Sequence, residues 1–306
     1  MKFRIIITIL LLPLSLQVFG QNSKPKNEDI PPTILWKITG KDINQTSYLL
    51  GIHHLVSANW LYNFPEIKYA IENSDYLLTE LYGENIDTTP LPENNIKALD
   101  ILTPEEFNIL DSFFIARVGE GIVDNEVAEE MNVFDMCSGI LSTLMTSTES
   151  KELPSMDREL FSIFQHQGKP TYRMDKIEYH AIGINDTARA REVIKPMIEL
   201  AKLGSLSALD LEDTVDTQGL VHIIKTYKKM TFKYKLEEAD PQEKSLISRL
   251  SVKERNRLWL PTIVDKISKY DCLVAVGAYH LLYNTGLISH LRAKGYTVEA
   301  IALRKE

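Results

Sequence analysis

The stretch DCLVAVGAYHLLYNTGLISHLRAKGYTVEAI, residues 271–301, decides the fold. Its apolar run from Cys272 to Val276 has the length of a buried strand and ends on Gly277. Residues 287–294 have helical spacing closed by Gly295, and YTVEAI then reads as another strand. Strand, turn, crossover helix and strand make a βαβ unit, which packs in the right-handed sense. The turn of this unit places His280 three residues after Gly277.

The same unit occurs near the other end of the chain. SYLLGIHHL (47–55) carries Gly51 and His54, a helix follows over 67–73, and DYLLTEL (75–81) is the next strand. The chain therefore reads as an α/β fold, with a central mostly parallel or mixed sheet, two strand-GxxH-helix-strand units and inserted helices. A lone Gly-x-x-His is usually a turn glycine followed by a hydrogen-bonded histidine. Two at matched places are more informative, because an open α/β sheet holds its ligand beyond the carboxyl ends of its strands. His54 and His280 are expected to converge on one crevice, with Gly51 and Gly277 allowing a sharp turn and close backbone approach. His53 faces the opposite side of the extended segment from His54. Glu80 lies in an otherwise apolar strand and needs a partner there. It is either ion-paired, for instance to Arg255, or a metal ligand or general base.

The rest of the chain divides around these units. Lys2 and Arg4 precede an apolar run over 5–16 that is short for a membrane span, and residues 18–20 end it with a cleavage-like pattern. Residues 1–20 are expected to be an export signal, 21–32 a polar linker, and 33–306 a single domain, periplasmic or secreted, with no membrane span in the mature chain. Helical insertions are expected over about 96–150 and 186–238. Thr103-Pro104 with Glu106, and Ser251 with Glu254, form capping-box patterns that open helices. Pro261 should weaken or kink the second of these helices. The Tyr-rich, Lys-interleaved run 227–234 is either a basic partner face or one side of a solvated helix.

Without the signal the chain holds 32 basic against 42 acidic residues, a formal charge of −10. That excess speaks against nucleic acid or an anionic membrane as partner. Cys137 and Cys272 are the two cysteines, either buried singly or joined in an exported protein. No Gly-x-Ser-x-Gly elbow, phosphate loop, cysteine cluster or His-Glu-x-x-His helix is present.

Five ordered segments, ILWKITGKDINQTSYLLGIHHL, LLTEL, SMDRELFSIFQHQGKP, ERNRLWLPTIVDKI and LVAVGAYHLLYNTGLISHLRAKGYTVEAI, together resemble the TraB/GumN family, whose relatives include the TIKI metalloproteases. With the export expected from residues 1–20, the resemblance implies an exported hydrolase, most simply a peptidase acting on a peptide or protein. It implies His54, Glu80 and His280 as ligands of a divalent metal, Mn or Co before Zn or Fe. By position it marks Glu80, Arg255 and Asn256 as catalytic and Asp157 as substrate-binding, while Tyr279, beside His280, is expected to line the substrate pocket and narrow it. The chain departs from the family at Ile52, where a Thr is usual, and at Tyr279, where a small residue is usual. Two neutral imidazoles and a carboxylate leave open positions on a metal, so a bound water could be acidified and delivered to a polarised carbonyl. Arg255 would grip an oxyanion or a carboxylate, unless it is a structural ion pair, for instance with Asp157. Two alternatives remain: a metal-independent hydrolase with Glu80 and a histidine as base and acid, and a non-enzymatic protein holding a metal, haem or peptide.

Overall fold

The computed structural model describes residues 30–40, 43–54, 56–85, 87–88, 96–145, 155–180, 184, 186–202, 220–241 and 250–305. The expected signal, and the linker up to residue 29, lie outside the described residues. Six strands form one sheet: β1 Leu35–Thr39, β2 Ser47–Ile52, β3 Tyr76–Thr79, β4 Thr171–Arg173, β5 Cys272–Gly277 and β6 Thr297–Ala300. Their spatial order is β4-β3-β5-β2-β1-β6. Pairing is parallel from β4 through β3 and β5 to β2, and antiparallel from β2 to β1 and from β1 to β6. The sheet is thus mixed, with β1 alone running against the others, and β1 and β2, consecutive in the chain, pair antiparallel.

The continuous apolar runs of β2 and β5 follow from their central places. Both faces of the sheet are covered, so neither register of side chains meets water. Leu49, Cys272, Val274 and Val276 enter the core on one face, with Trp259, Ile263 and Leu291. Leu50, Ile52, Leu273 and Ala275 enter the core on the other, with Ile67, Leu160 and Phe164. Cys137 and Cys272 are both free and buried.

The helices are α1 Pro65–Asn73, α2 Pro104–Val118, α3 Glu126–Glu130, α4 Val133–Met145, α5 Met156–His166, α6 Ile177–His180, α7 Thr187–Lys202, α8 Leu220–Lys229, α9 Val252–Ile267 and α10 Leu287–Ala293. Both capping boxes form, Thr103 with Glu106 and Ser251 with Glu254. Helix α9 runs on through Pro261, because packing of Trp259, Leu260 and Ile263 in the core outweighs the lost backbone bond. Helices α2, α4 and α7 bury Leu110, Phe113, Met136, Ile140 and Ile194 in a core of their own. Helix α8 and the chain after it return to the sheet, where Tyr227 and Tyr234 are buried and the intervening lysines face outward. The tyrosines of that run are core residues and not a partner face.

Candidate functional site

Because β2, β3 and β5 run parallel, their carboxyl ends share one edge of the sheet. Register sets Ile52 beside Gly277 and Thr79 beside Ala275. The residues following each strand, His54, Glu80 and His280, therefore leave the sheet together. Glu80 Oε1 lies 3.8 Å from His54 Nε2, and Glu80 Oε2 lies 3.5 Å from His280 Nε2. Gly277 is at the centre of this group. A Cβ there would stand 3.1 Å from Glu80 Oε1, 3.6 Å from His54 Nε2 and 3.7 Å from His280 Cδ2, while its φ of −48° is open to any residue. Space, and not backbone conformation, calls for glycine. The same holds at Gly51, whose Cβ would meet Ala278 and Leu281 at 3.1–3.3 Å.

Glu80 is 3 % exposed and is held from two sides. The Gly277 N–H donates to Oε1, and Arg255 Nη1 donates to Oε2 at 3.1 Å. Burial alone would raise its pKa; the surrounding His280, His54 and Arg255 outweigh that and hold it well below the usual range. Burial dominates at His280, pushing it below its ordinary value in spite of Glu80. His280 is therefore a neutral imidazole near pH 7. The anionic state of Glu80 then rests on Arg255 and the Gly277 N–H.

Asn256 fixes which nitrogen of His280 carries the proton. Its Nδ2 donates to the carbonyls of His280 at 3.2 Å and Thr285 at 2.9 Å, so its Oδ1 is the atom that lies 2.6 Å from His280 Nδ1. An oxygen acceptor there demands an N–H on Nδ1, which leaves the lone pair on Nε2, facing Glu80. Trp259 stacks on the ring at 4.4 Å and 29°.

Arg255 and Asn256 sit side by side in the first turns of α9, which the Ser251 capping box starts. Arg255 Nη1 also donates to Asp175 at 2.9 Å, and Asp175 accepts the Trp259 indole N–H at 2.9 Å. The acidic partners of Arg255 are thus Glu80, as one reading of the sequence has it, and Asp175 in place of Asp157. Asp175 stands two residues past the end of β4, and its N–H donates to the Glu80 carbonyl. An acid just beyond a three-residue strand carries no local signal that would have singled it out.

Asp157 is fully buried near the first turn of α5 and accepts from the Leu81 N–H at 3.2 Å. Burial, then the neighbouring Glu80 and Asp175, push it well above the usual carboxylate range. It lies behind the strand of Glu80, hydrogen-bonded to the residue that follows it. Two residues on, Glu159 accepts Ser57 Oγ and the Ala58 N–H, both at 2.8 Å, tying α5 to the turn that carries His54. Tyr279 directs its hydroxyl to Asp240 at 2.8 Å. His53 points away from the crevice against the Tyr227 ring at 5.4 Å, as strand alternation requires.

Among the described residues, no three His, Cys, Asp or Glu side chains form a group that could hold a metal ion. In donor type His54, Glu80 and His280 suit a divalent cation. His280 presents its lone pair, and each Glu80 oxygen keeps a second lone pair beside the hydrogen bond it accepts. They are not drawn into a closed shell. Among the described residues, no helix is long and apolar enough to cross a membrane.

A family model described as the TraB/PrgY/gumN family matches residues 34–300 of the chain. No curated protein and no solved structure matches it.

Proposed function

Since the chain belongs to the TraB/PrgY/gumN family, we propose that its crevice is a hydrolytic centre for peptide bonds, with His54, Glu80 and His280 holding a divalent metal such as Mn or Co. We take the protein to be exported, with a peptide or protein as substrate. One observation carries the reading. The His280 lone pair faces an ionised, buried carboxylate at 3.5 Å, and two acceptors facing each other are stabilised only by a cation or proton between them.

When bound, the metal would supply a water acid enough to ionise near neutral pH and would polarise a carbonyl. The side chains supply the rest. Asn256 keeps the proton on His280 Nδ1, so Nε2 stays a donor of electrons. Arg255 and the Gly277 N–H favour the ionised form of Glu80 and hold its carboxyl well below the usual range. Asp175 holds Arg255 in place, leaving Asp175 and Glu80 as two buried carboxylates against one guanidinium. The crevice therefore favours a cation. A metal-free mechanism with Glu80 as general base is less well supported, because a carboxylate held far below neutral pH is a weak base.

The test is metal analysis of the purified chain together with turnover of a peptide library, with and without chelator. Stoichiometric metal and chelator-sensitive cleavage, both lost in His54→Ala and His280→Ala, are expected. Cleavage that survives exhaustive chelation would exclude the metal, and Glu80→Gln cleaving at the wild-type rate would exclude Glu80.

A further inference from the structure

Three non-glycine residues have positive φ among the described residues: Met230 at 52°, Lys235 at 52° and Tyr283 at 65°. Left-handed backbone at such residues is unfavourable and persists where the surroundings over-determine it. Met230 is accounted for by the end of α8, where the Thr231 N–H donates back to the Thr226 carbonyl at 3.1 Å. Lys235 and Tyr283 have no such explanation. They flank a single contact, the Tyr283 N–H donating to the Tyr234 carbonyl at 2.8 Å.

That contact belongs to a longer lacing. Asn284 N–H donates to the Glu238 carbonyl at 3.0 Å, and the Tyr279 hydroxyl donates to Asp240 at 2.8 Å. These three bonds tie residues 234–240 to the turn that carries His280. The same stretch of chain also holds the other turn. Tyr227, 2 % exposed, donates its hydroxyl to the Gly51 carbonyl at 2.9 Å. Between the two grips, Tyr234 anchors the stretch in the core by donating to the Thr33 carbonyl at 2.7 Å and packing edge-on against Trp36.

We propose that residues 227–240 are a strained strap that sets the spacing of the two Gly-x-x-His turns, with Tyr227 positioning the His54 turn and Asp240, through Tyr279, positioning the His280 turn. The strain at Lys235 and Tyr283 is the cost of bringing the strap and the second turn into one register. Its part in turnover rests on the hydrolase reading given above; its part in placing the two imidazoles does not.

The experiment uses the full chain with four variants, Tyr227→Phe, Tyr279→Phe, Asp240→Ala and Asp240→Asn, plus the Tyr279→Phe/Asp240→Ala pair. The readouts are the ring-nitrogen NMR signals of His54 and His280, and kcat and KM on a cleaved peptide. Tyr279→Phe and Asp240→Ala should each move the His280 signals, and the pair should move them no further than either alone. Asp240→Asn still accepts the hydroxyl and should match the wild type. Tyr227→Phe should move His54 and leave His280 in place. Turnover should fall about tenfold in kcat with KM unchanged, as for a small misplacement of reacting groups. Tyr279→Phe removes one hydroxyl and keeps the ring, so it remains informative if Asp240→Ala does not fold. Unmoved His280 signals in Tyr279→Phe, or additive effects in the pair, would overturn the strap. A wild type that cleaves nothing would count against the hydrolase reading alone, since the ring signals still decide the strap.

Discussion

His280 and Asn256 are bound to each other twice. Nδ1 meets Oδ1 at 2.6 Å, and the Asn256 amide returns a hydrogen bond to the His280 carbonyl at 3.2 Å. Ring and backbone of one residue are thus held by one side chain, on a helix that arrives from a different part of the sequence. Both residues are buried, so water cannot replace either bond.

Asn256→Ala should therefore cost about 1–3 kcal/mol of stability, since it strips the buried His280 ring nitrogen and carbonyl of their partner. It should also let the His280 ring populate both tautomers. Urea unfolding checks the first outcome, and the ring-nitrogen signals of His280 check the second. Signals identical to wild type would contradict the assignment of the proton to Nδ1.

Arg255 stands between two buried carboxylates, so removing it leaves charge without compensation. Arg255→Met should destabilise the fold by about 3–5 kcal/mol. Adding Glu80→Gln should recover part of that loss by removing one of the two stranded charges. A double variant no more stable than Arg255→Met would show that the Glu80 ion pair does not govern the cost.

Gly277→Ala separates function from folding. The φ of −48° tolerates alanine, but the new methyl would crowd Glu80 Oε1 at 3.1 Å. Stability should fall by only about 1 kcal/mol, within the ordinary range for a point change. On the metal-peptidase reading proposed above, metal affinity and turnover should fall at least tenfold, as when a supporting group of a metal site is disturbed. Retained affinity with lost stability would reverse this account.

Acid should weaken the fold in two stages. His53 titrates at about 4, below its ordinary 6.5, because of burial first and then the neighbouring His54 and Lys228. The unfolded chain takes up that proton first, so the stability is complete above 6.5 and declines as the pH falls from 6.5 towards 4. Glu80 is held below 4.5, so its share is complete above 4.5 and is lost as the pH falls further. His53→Phe keeps a ring against Tyr227 and should shrink the first stage, leaving the share of His280 and His290, which burial also lowers. Urea midpoints between pH 8 and pH 4 measure this; an unchanged slope in His53→Phe would contradict it.

Much of this architecture is legible in particular residues. The apolar runs before Gly51 and Gly277 read as buried strands, and Thr103 and Ser251 mark helix starts, because each signal lies within a few residues of its effect. The pairing of Glu80 with Arg255 was also legible, since a carboxylate in an apolar strand requires a cation. Asp175 was not, for nothing local distinguishes an acid after a three-residue strand from one in a loop. The inward turn of Tyr227 and Tyr234 was hidden because lysines interleave with them and mask the buried face.

By itself the sequence determined the local elements: strand runs, capping boxes and two matched Gly-x-x-His turns, all set by interactions among near neighbours. Tertiary structure alone decided that β5 slots between β2 and β3, which brings Glu80, Arg255 and His280 within 3.5 Å contacts although they are remote along the chain. It also decided the proton on His280, the upward shift of the buried Asp157 carboxyl and the grip of residues 227–240 on both turns. The physical reason is range. Backbone propensity and capping act over a few residues, whereas burial, ion pairing and tautomer choice depend on whichever distant groups the packing of the whole sheet sets side by side.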